Sequence, residues 1–164
     1  MTGGAPLDGR VAIVTGVGRR AGIGFAIARR LLADGARVLV QSWSPHDAEQ
    51  PWGPDPGGDA AVLAELGPGV EHLALDLADP AAPRRLIDHA VATLGAVDVL
   101  VCNHARSSDH ALDEVTAEEL DLTFAVNARA VVLLVQAFAA VHDAERPGGR
   151  IVLFTSGQDH GPLT

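Results

Sequence analysis

The sequence is poor in cysteine, in aromatic residues and in positive charge. A single cysteine, Cys102, excludes an internal disulfide and fits a reducing compartment, and its place at the end of an apolar run indicates a small buried hydrophobe rather than a nucleophile. Aromatic residues make up 4% and apolar residues 48% of the 164 residues, so the core must be aliphatic, as in a parallel sheet covered by helices. A formal charge of −9 argues against nucleic acid as a partner.

Signals for export, membrane insertion and metal binding are also missing. The first eight residues lack the charged and then apolar layout of a signal peptide, and no uncharged apolar stretch is long enough to span a bilayer. The seven histidines show no spacing typical of metal ligands. We therefore expect a cytoplasmic protein with no metal site, no membrane association and no nucleic-acid partner.

Short aliphatic strands alternate with helical patterns along the whole chain. Strands are predicted at 10–15, 37–41, 70–75, 97–101 and 150–155. Helices are predicted at 22–34, at about 59–66, from Asp79 onward, and from a capping box at Thr116 to about His142, whereas residues 43–58 indicate a surface insertion. This order predicts one α/β domain over 1–164, a three-layer, doubly wound parallel sheet.

The first predicted strand turns on glycines and continues as a helix. Such a turn directs unpaired backbone N–H groups and the positive end of a helix dipole at one point, which suits a phosphate or diphosphate. Glycine permits both the turn and a close approach of the ligand. The candidate residues of this glycine turn are Thr15, Gly16, Gly18, Arg19, Arg20, Gly22, Ile23 and Gly24.

Polar residues stand where each predicted strand ends: Thr15-Gly16, Gln41-Ser42, Asp76, Asn103 and Ser156. Ligands of doubly wound sheets bind beyond these carboxyl ends, so the set is typical of a binding crevice, although any strand must end in something polar. Asn127 is the one amide in an apolar helical stripe that runs from Leu120 to Phe138, which predicts a buried asparagine with specific partners. It is either functional or a satisfied core residue, and Ser156 is either a substrate-binding serine or a turn former.

The motifs together resemble those of the short-chain dehydrogenase/reductase family over essentially the whole chain. Thr15-Gly16 and Gly22-Ile23-Gly24 are similar to its TGxxxGxG cofactor turn, and Asp76-Leu77 matches its adenine contact. The segment Asp98 to Ala105 stands in place of DxLVNNAG, with Asn103, His104 and Ala105 where the ribose and nicotinamide pass. The resemblance implies a Rossmann fold, catalytic roles for Asn127 and Ser156, and hydride transfer between nicotinamide and a carbonyl or alcohol substrate.

The chain departs from the family pattern in its glycine turn and at its second strand. Five residues separate Gly16 from Gly22, where the family usually has three, which leaves open an enoyl-thioester reductase. The second strand ends at Ser42, where members that prefer NAD carry an aspartate that repels a 2′-phosphate. With Arg19 and Arg20 close by, NADP is the expected cofactor, and NAD remains the alternative.

The sequence has no tyrosine and no lysine, so the YxxxK motif of the family is absent. This absence predicts a chain truncated before that motif, with a sheet incomplete at its C-terminal end and a fifth strand exposed as an edge. The full-length form is expected to be an oxidoreductase and a homo-oligomer. The alternative for the chain itself is a nucleotide-binding fragment or sensor without catalysis.

Overall fold

The computed structural model describes residues 4–107 and 110–156. The strands are β1 (Val11–Thr15), β2 (Arg37–Ser42), β3 (Val70–Ala74), β4 (Val99–Cys102) and β5 (Arg150–Leu153). The helices are α1 (Ile23–Ala33), α2 (Ser44–Ala48), α3 (Gly58–Leu66), α4 (Ala82–Leu94), α5 (Ala117–Phe124) and α6 (Ala130–Val141), and a π-helical turn, Ala125–Arg129, joins α5 to α6. The predicted elements are confirmed to within a few residues, whereas α2 lies in a segment predicted to be irregular.

The five strands form one parallel sheet in the order β3-β2-β1-β4-β5. The chain moves outward from β1 to β3, then crosses back to place β4 on the other side of β1. The predicted doubly wound, Rossmann-like sheet is therefore confirmed. The order reverses between β1 and β4, so a crevice opens at the carboxyl ends of these two strands.

Alternate side chains of each strand enter different hydrophobic layers. Ile13 and Leu100 pack with α4 and α6 on one face of the sheet, while Val14 and Val40 pack with α1 and α3 on the other. Because both faces are covered, the central strands are apolar without alternation, which is the pattern that the sequence shows. Cys102 is buried in the first of these layers, as predicted, and burial raises the pKa of its thiol to about 11.

The apolar stripe predicted along the last long helix does not face the core over its whole length. Leu134 and Phe138 are buried, but Leu120 and Phe124 are 60% and 65% exposed, and Asn127 is exposed rather than buried. The π-helical turn between the two halves carries more residues per turn than an α-helix, so one regular spacing does not stay on one face. The prediction of a buried Asn127 is therefore wrong.

The continuous helical segment Ala117–Val141 is 25 residues long and apolar enough to cross a membrane by length and composition. This is weak evidence, because core helices of soluble proteins share these properties. Here the α6 part packs against α4 through side chains such as Leu134 and Phe138.

Strand β5 lies at one edge of the sheet, as predicted. Its apolar residues Ile151, Val152 and Leu153 are 40%, 41% and 53% exposed. The strand ends at Leu153, two residues earlier than the sequence predicts, so Thr155 and Ser156 follow it as irregular chain.

Candidate functional site

A cavity of about 790 Å³ opens over the carboxyl ends of β1, β2 and β4. It lies at the point where the strand order reverses, which is the expected place for a ligand in this fold. Most of the predicted cofactor-binding residues line it: Gly16, Gly18, Arg19, Ile23, Asp76, Leu77, Asn103, His104 and Ala105. The predicted residues Thr15, Arg20, Gly22, Gly24, Ser42, Asn127 and Ser156 are outside this lining.

The glycine turn packs tightly against the loop that follows β4. Gly16 has a φ of 74°, and a Cβ on it would lie 2.7 Å from the Cα of His104. A Cβ on Gly24 would lie 2.6 Å from Nδ2 of Asn103 and 2.7 Å from the carbonyl oxygen of Gly16. Glycine is required at these two positions because the chain itself occupies the space that a side chain would need.

The amino end of α1 faces this cavity without a side-chain cap. Gly22 is the N-cap residue, and the N–H groups of Ile23 and Gly24, in the first turn, have no intrahelical acceptor. These donors and the helix dipole favour a negatively charged group. The lining glycines and α1 therefore fit a diphosphate.

Thr15 joins β1 to the loop after β4. Its side chain is fully buried, and its hydroxyl accepts from the backbone N–H groups of Asn103 and His104. The Nδ2 atom of Asn103 donates in return to the carbonyl oxygens of Thr15 and Gly16, each at 3.1 Å. This network fixes the glycine turn against Asn103, so Thr15 and Asn103 shape the cavity wall even though only Asn103 lines it.

The ring of His104 lies between Thr15 and the π-helical turn that joins α5 to α6. Its Nε2 lies 3.1 Å from the carbonyl oxygen of Val126, which requires a proton on Nε2, and its Nδ1 then accepts from the Thr15 hydroxyl at 2.7 Å. Burial lowers the pKa of His104 to about 4, although the contact with Val126 opposes this shift. The histidine is therefore neutral at pH 7 and has a single tautomer.

Residues 43–58 are predicted to be a surface insertion, and part of this segment forms one wall of the cavity. Trp43, Pro45, His46, Asp47 and Trp52 all line it, and sequence reasoning missed every one of them. The signal available in the sequence was that both tryptophans of the chain fall in this one segment, although aromatic residues are few.

An ion pair holds this wall against the glycine turn. The Arg20 guanidinium bonds both carboxylate oxygens of Asp55, and the Arg20 N–H donates to the same carboxylate. These hydrogen bonds keep the pKa of Asp55 well below its usual range. Arg20, predicted to contact the cofactor, is thus occupied by Asp55 and by Glu65, which lies 3.6 Å away.

Arg19 remains in the cavity wall. Its Nε lies 3.6 Å from Oδ1 of Asp47, and its guanidinium carbon lies 5.5 Å from the centre of a Trp52 ring. Arg19 is therefore the one guanidinium of the glycine turn that lines the cavity.

The end of β2 places Gln41, rather than Ser42, at the cavity. The Oε1 of Gln41 accepts from the N–H of Gly16 at 3.0 Å, and its Nε2 donates to the carbonyl of Leu75 at 2.7 Å. Ser42 is fully buried, and its hydroxyl donates to Asp59 at 3.0 Å and contacts His72. The alternation of side chains along a strand accounts for this difference, because neighbouring residues point to opposite faces.

Asp76 and Leu77 follow β3 at the far end of the cavity. Asp76 Oδ1 accepts from the N–H of Ala78 at 2.8 Å, which closes a local turn and fixes the carboxylate. Leu77 is 3% exposed and packs into the layer that contains α4.

Asn127 supports the cavity wall from outside. Its Oδ1 accepts from the N–H of Arg106 at 2.7 Å, and its Nδ2 donates to the Arg106 carbonyl at 2.8 Å. Arg106 lines the cavity, with its guanidinium bonded to Glu119 and one nitrogen 3.1 Å from Nδ1 of His46. Ser156 is exposed and follows the edge strand β5.

Among residues 4–107 and 110–156, no group of three His, Cys, Asp or Glu side chains is placed to hold a metal ion.

The sheet order and the cavity at the strand-order reversal are those of a Rossmann-like fold, and the sequence relatives agree with that class. The family model for short chain dehydrogenases matches residues 10–163. The chain is 37% identical to an L-xylulose reductase from Bos taurus over 158 residues, 96% of this chain and 57% of that protein. It is 33% identical to a sorbitol dehydrogenase from Cereibacter sphaeroides, over 92% of this chain and 54% of that protein.

Solved structures show the same relationship. A short-chain dehydrogenase from Burkholderia cenocepacia in complex with NADP has a TM-score of 0.77 and 34% identity, over 94% of this chain and 58% of that one. A blue fluorescent protein from a metagenomic library, in complex with NADPH, has a TM-score of 0.78 and 35% identity, over 94% and 59%. The chain belongs to the short-chain dehydrogenase family of oxidoreductases, and it spans little more than half the length of these relatives.

Proposed function

We propose that the chain forms the nucleotide-binding part of an NADP-dependent oxidoreductase, which transfers hydride between nicotinamide and the carbon of a small carbonyl or alcohol substrate. The observation that carries this proposal is the uncapped amino end of α1, which faces a cavity of about 790 Å³ at the strand-order reversal. Two structural relatives of the chain were solved with NADP or NADPH. NAD is the alternative cofactor.

Each wall of the cavity suits a different part of a dinucleotide. The N–H groups at the start of α1 would hold the diphosphate, because they supply donors and a positive dipole without a competing cap. Asp76 and Leu77 would contact the adenine, and Arg19 would supply positive charge for a 2′-phosphate. Asn103, His104 and Ala105 would border the ribose and nicotinamide, because they line the cavity beside β4.

Bound nicotinamide supplies the hydride chemistry, and the residues of this chain orient it. We propose that Ser156 donates a hydrogen bond to the reacting oxygen. Asn127 would act indirectly, because it lies outside the cavity lining and its amide fixes the backbone of Arg106, which borders the cavity. The tyrosine and lysine that resemblance assigns to proton transfer are absent from the 164 residues. We expect the 164-residue chain to bind the cofactor without turnover.

Tryptophan fluorescence offers a direct test of binding. Both tryptophans line the cavity and the chain has no tyrosine, so the intrinsic emission arises at the site itself. Titration with NADPH should quench this emission to saturation at one equivalent, and an excess of NADP⁺ should reverse the effect. The absence of any saturable change with NADPH and with NADH would contradict the proposal.

A second candidate function, a nucleotide-binding module without chemistry, is favoured by the absence of tyrosine and lysine. The two candidates differ in turnover rather than in binding. If a longer form of this protein supplies a tyrosine and a lysine, it should oxidise NADPH in the presence of a ketone panel. A form that binds NADPH with the same affinity and oxidises none would favour the module.

A further inference from the structure

A carboxylate stands against the glycine turn at the cavity wall. Asp47 lies on α2, and its Oδ1 accepts from Nε1 of Trp52 at 3.1 Å. Its Oδ2 comes within 2.8 Å of the position that a Cβ on Gly18 would occupy. The contact with Arg19, at 3.6 Å, places this carboxylate beside the only glycine-turn guanidinium that lines the cavity.

The other arginines near this wall are committed elsewhere. Arg20 is bonded through several nitrogens to Asp55, and Arg106 is bonded to Glu119 on α5. Positive charge for a phosphate at this wall therefore comes from Arg19, and Arg19 already has an anionic partner. A second anion at Arg19 would share this guanidinium with Asp47, which already offsets part of its positive charge.

In dinucleotide-binding folds, an acid after the second strand bonds the ribose 2′-hydroxyl and an arginine accommodates a 2′-phosphate. The last two residues of β2 do not supply that acid, because they are Gln41 and Ser42, and both make other hydrogen bonds. The next helix supplies one instead. Ser44 at the start of α2 donates to Asp59 at 2.8 Å, which ties α2 to α3 and fixes where Asp47 stands.

We propose that Asp47 determines the preference of this chain between NADP and NAD. Its carboxylate competes with the 2′-phosphate of NADP for Arg19, and it is placed to accept a hydrogen bond from the 2′-hydroxyl of NAD. This inference rests on the proposed function, because it assumes that the adenosine end of a dinucleotide lies at this wall. NADP then binds to an Arg19 whose positive charge Asp47 has partly offset.

The test uses two adenosine nucleotides that differ only in the 2′-phosphate, adenosine 2′,5′-bisphosphate and adenosine 5′-monophosphate. Calorimetric titration of the 164-residue chain and of its Asp47→Asn variant measures both affinities. The variant should bind the bisphosphate roughly tenfold more tightly and change its affinity for the monophosphate by less than about threefold. The amide can still accept from Trp52, so the wall should keep its structure.

Asp88→Asn is the matched control. Asp88 is exposed on α4 and pairs with Arg84 outside the cavity, so this change removes the same charge and the same kind of ion pair. It should leave both affinities unchanged. In the double variant Arg19→Met/Asp47→Asn the gain for the bisphosphate should vanish, because the gain depends on Arg19.

An equal change for both nucleotides, or a gain that survives Arg19→Met, would overturn the role of Asp47. NAD⁺ binding identifies which proposal has failed. If the native chain binds NAD⁺ and the ratio of the two adenosine affinities does not move in Asp47→Asn, the inference alone fails. If it binds neither NAD⁺ nor either adenosine nucleotide, the proposed function fails and the inference fails with it.

Discussion

The Nδ1 atom of His104 lies 2.7 Å from the Oγ1 atom of Thr15, so an imidazole connects the loop after β4 to the end of β1. The other ring nitrogen reaches the carbonyl of Val126 on the long helix. One neutral side chain thus holds together the strand, the loop and the helix that border the cavity. Protonation would put a second N–H opposite the Thr15 hydroxyl, which already accepts two backbone N–H groups.

The stability of the fold should therefore fall in mild acid. The pKa of His104 is about 4 in the folded chain against an ordinary value of 6.5, so the unfolded state binds more protons between these two values. The contribution of His104 is complete above about pH 6.5 and is lost as the pH falls toward 4, by up to roughly 3 kcal/mol. Denaturant unfolding at several pH values should show that the free energy of unfolding falls less with decreasing pH in His104→Ala than in the native chain. In the control variant His110→Ala, changed at an exposed position, the free energy of unfolding should fall with pH as it does in the native chain.

Gly24→Ala should disrupt the nucleotide site. The new methyl group would lie 2.6 Å from Nδ2 of Asn103, so the bonds from Asn103 to Thr15 and Gly16 must break or shift. NADPH affinity, measured by tryptophan quenching, should fall by a factor of at least roughly ten, because the diphosphate donors are displaced. Gly69→Ala meets no atom within 4 Å and should bind as the native chain does. Unchanged affinity in Gly24→Ala would show that the turn adapts freely.

Asp98→Asn should destabilise the fold at the end opposite the cavity. Asp98 is fully buried and bonds Arg146, Arg10 and the N–H of Val11. Burial alone would raise its pKa, but these hydrogen bonds outweigh it and hold the pKa at about 2. Losing the charge leaves the arginines without their counter-ion and should lower the free energy of unfolding by about 2–4 kcal/mol. The control is Asp88→Asn, which breaks the exposed ion pair between Asp88 and Arg84. This change should lower the free energy of unfolding by less than about 0.5 kcal/mol.

Cys102 should resist thiol reagents in the folded chain. It is 3% exposed, and burial raises its pKa to about 11, so almost no thiolate is present at pH 7. A chromogenic disulfide reagent should modify the thiol at the rate of unfolding and rapidly in denaturant. Fast modification without denaturant would indicate that β4 opens locally.

The fold could be predicted from the sequence because strand and helix periods, glycine positions and strand-end residues all point to one topology. The glycine turn and the loop after β4 were predicted because both lie at strand ends, where topology alone brings them together. The role of residues 43–58 as a cavity wall could not be predicted, because their place depends on ion pairs between residues far apart in sequence, such as Arg20 and Asp55. No local pattern encodes such a pair.

Charge assignments were less predictable for the same reason. Arg19 and Arg20 are neighbours in sequence and both are predicted to contact the cofactor. Only Arg19 lines the cavity, whereas Arg20 is bonded to Asp55 outside it. The apolar neighbours of Asn127 recur at α-helical spacing, which predicts that Asn127 lies inside the core. That spacing assumes a regular helix, which the turn at Ala125–Arg129 interrupts.

This π-helical turn amounts to one surplus residue in an otherwise ordinary helix. Its consequence is that two parts of one continuous helix have different roles. Leu134 and Phe138 in α6 pack in the core, whereas Asn127, within the turn, bonds the backbone of Arg106. Deleting Ala128 would rotate Asn127 by about 100° relative to Leu134 and Phe138 and turn it away from Arg106. The wide turn thus lets Asn127 face Arg106 while Leu134 and Phe138 face the core, two directions whose angle a regular α-helix would fix differently.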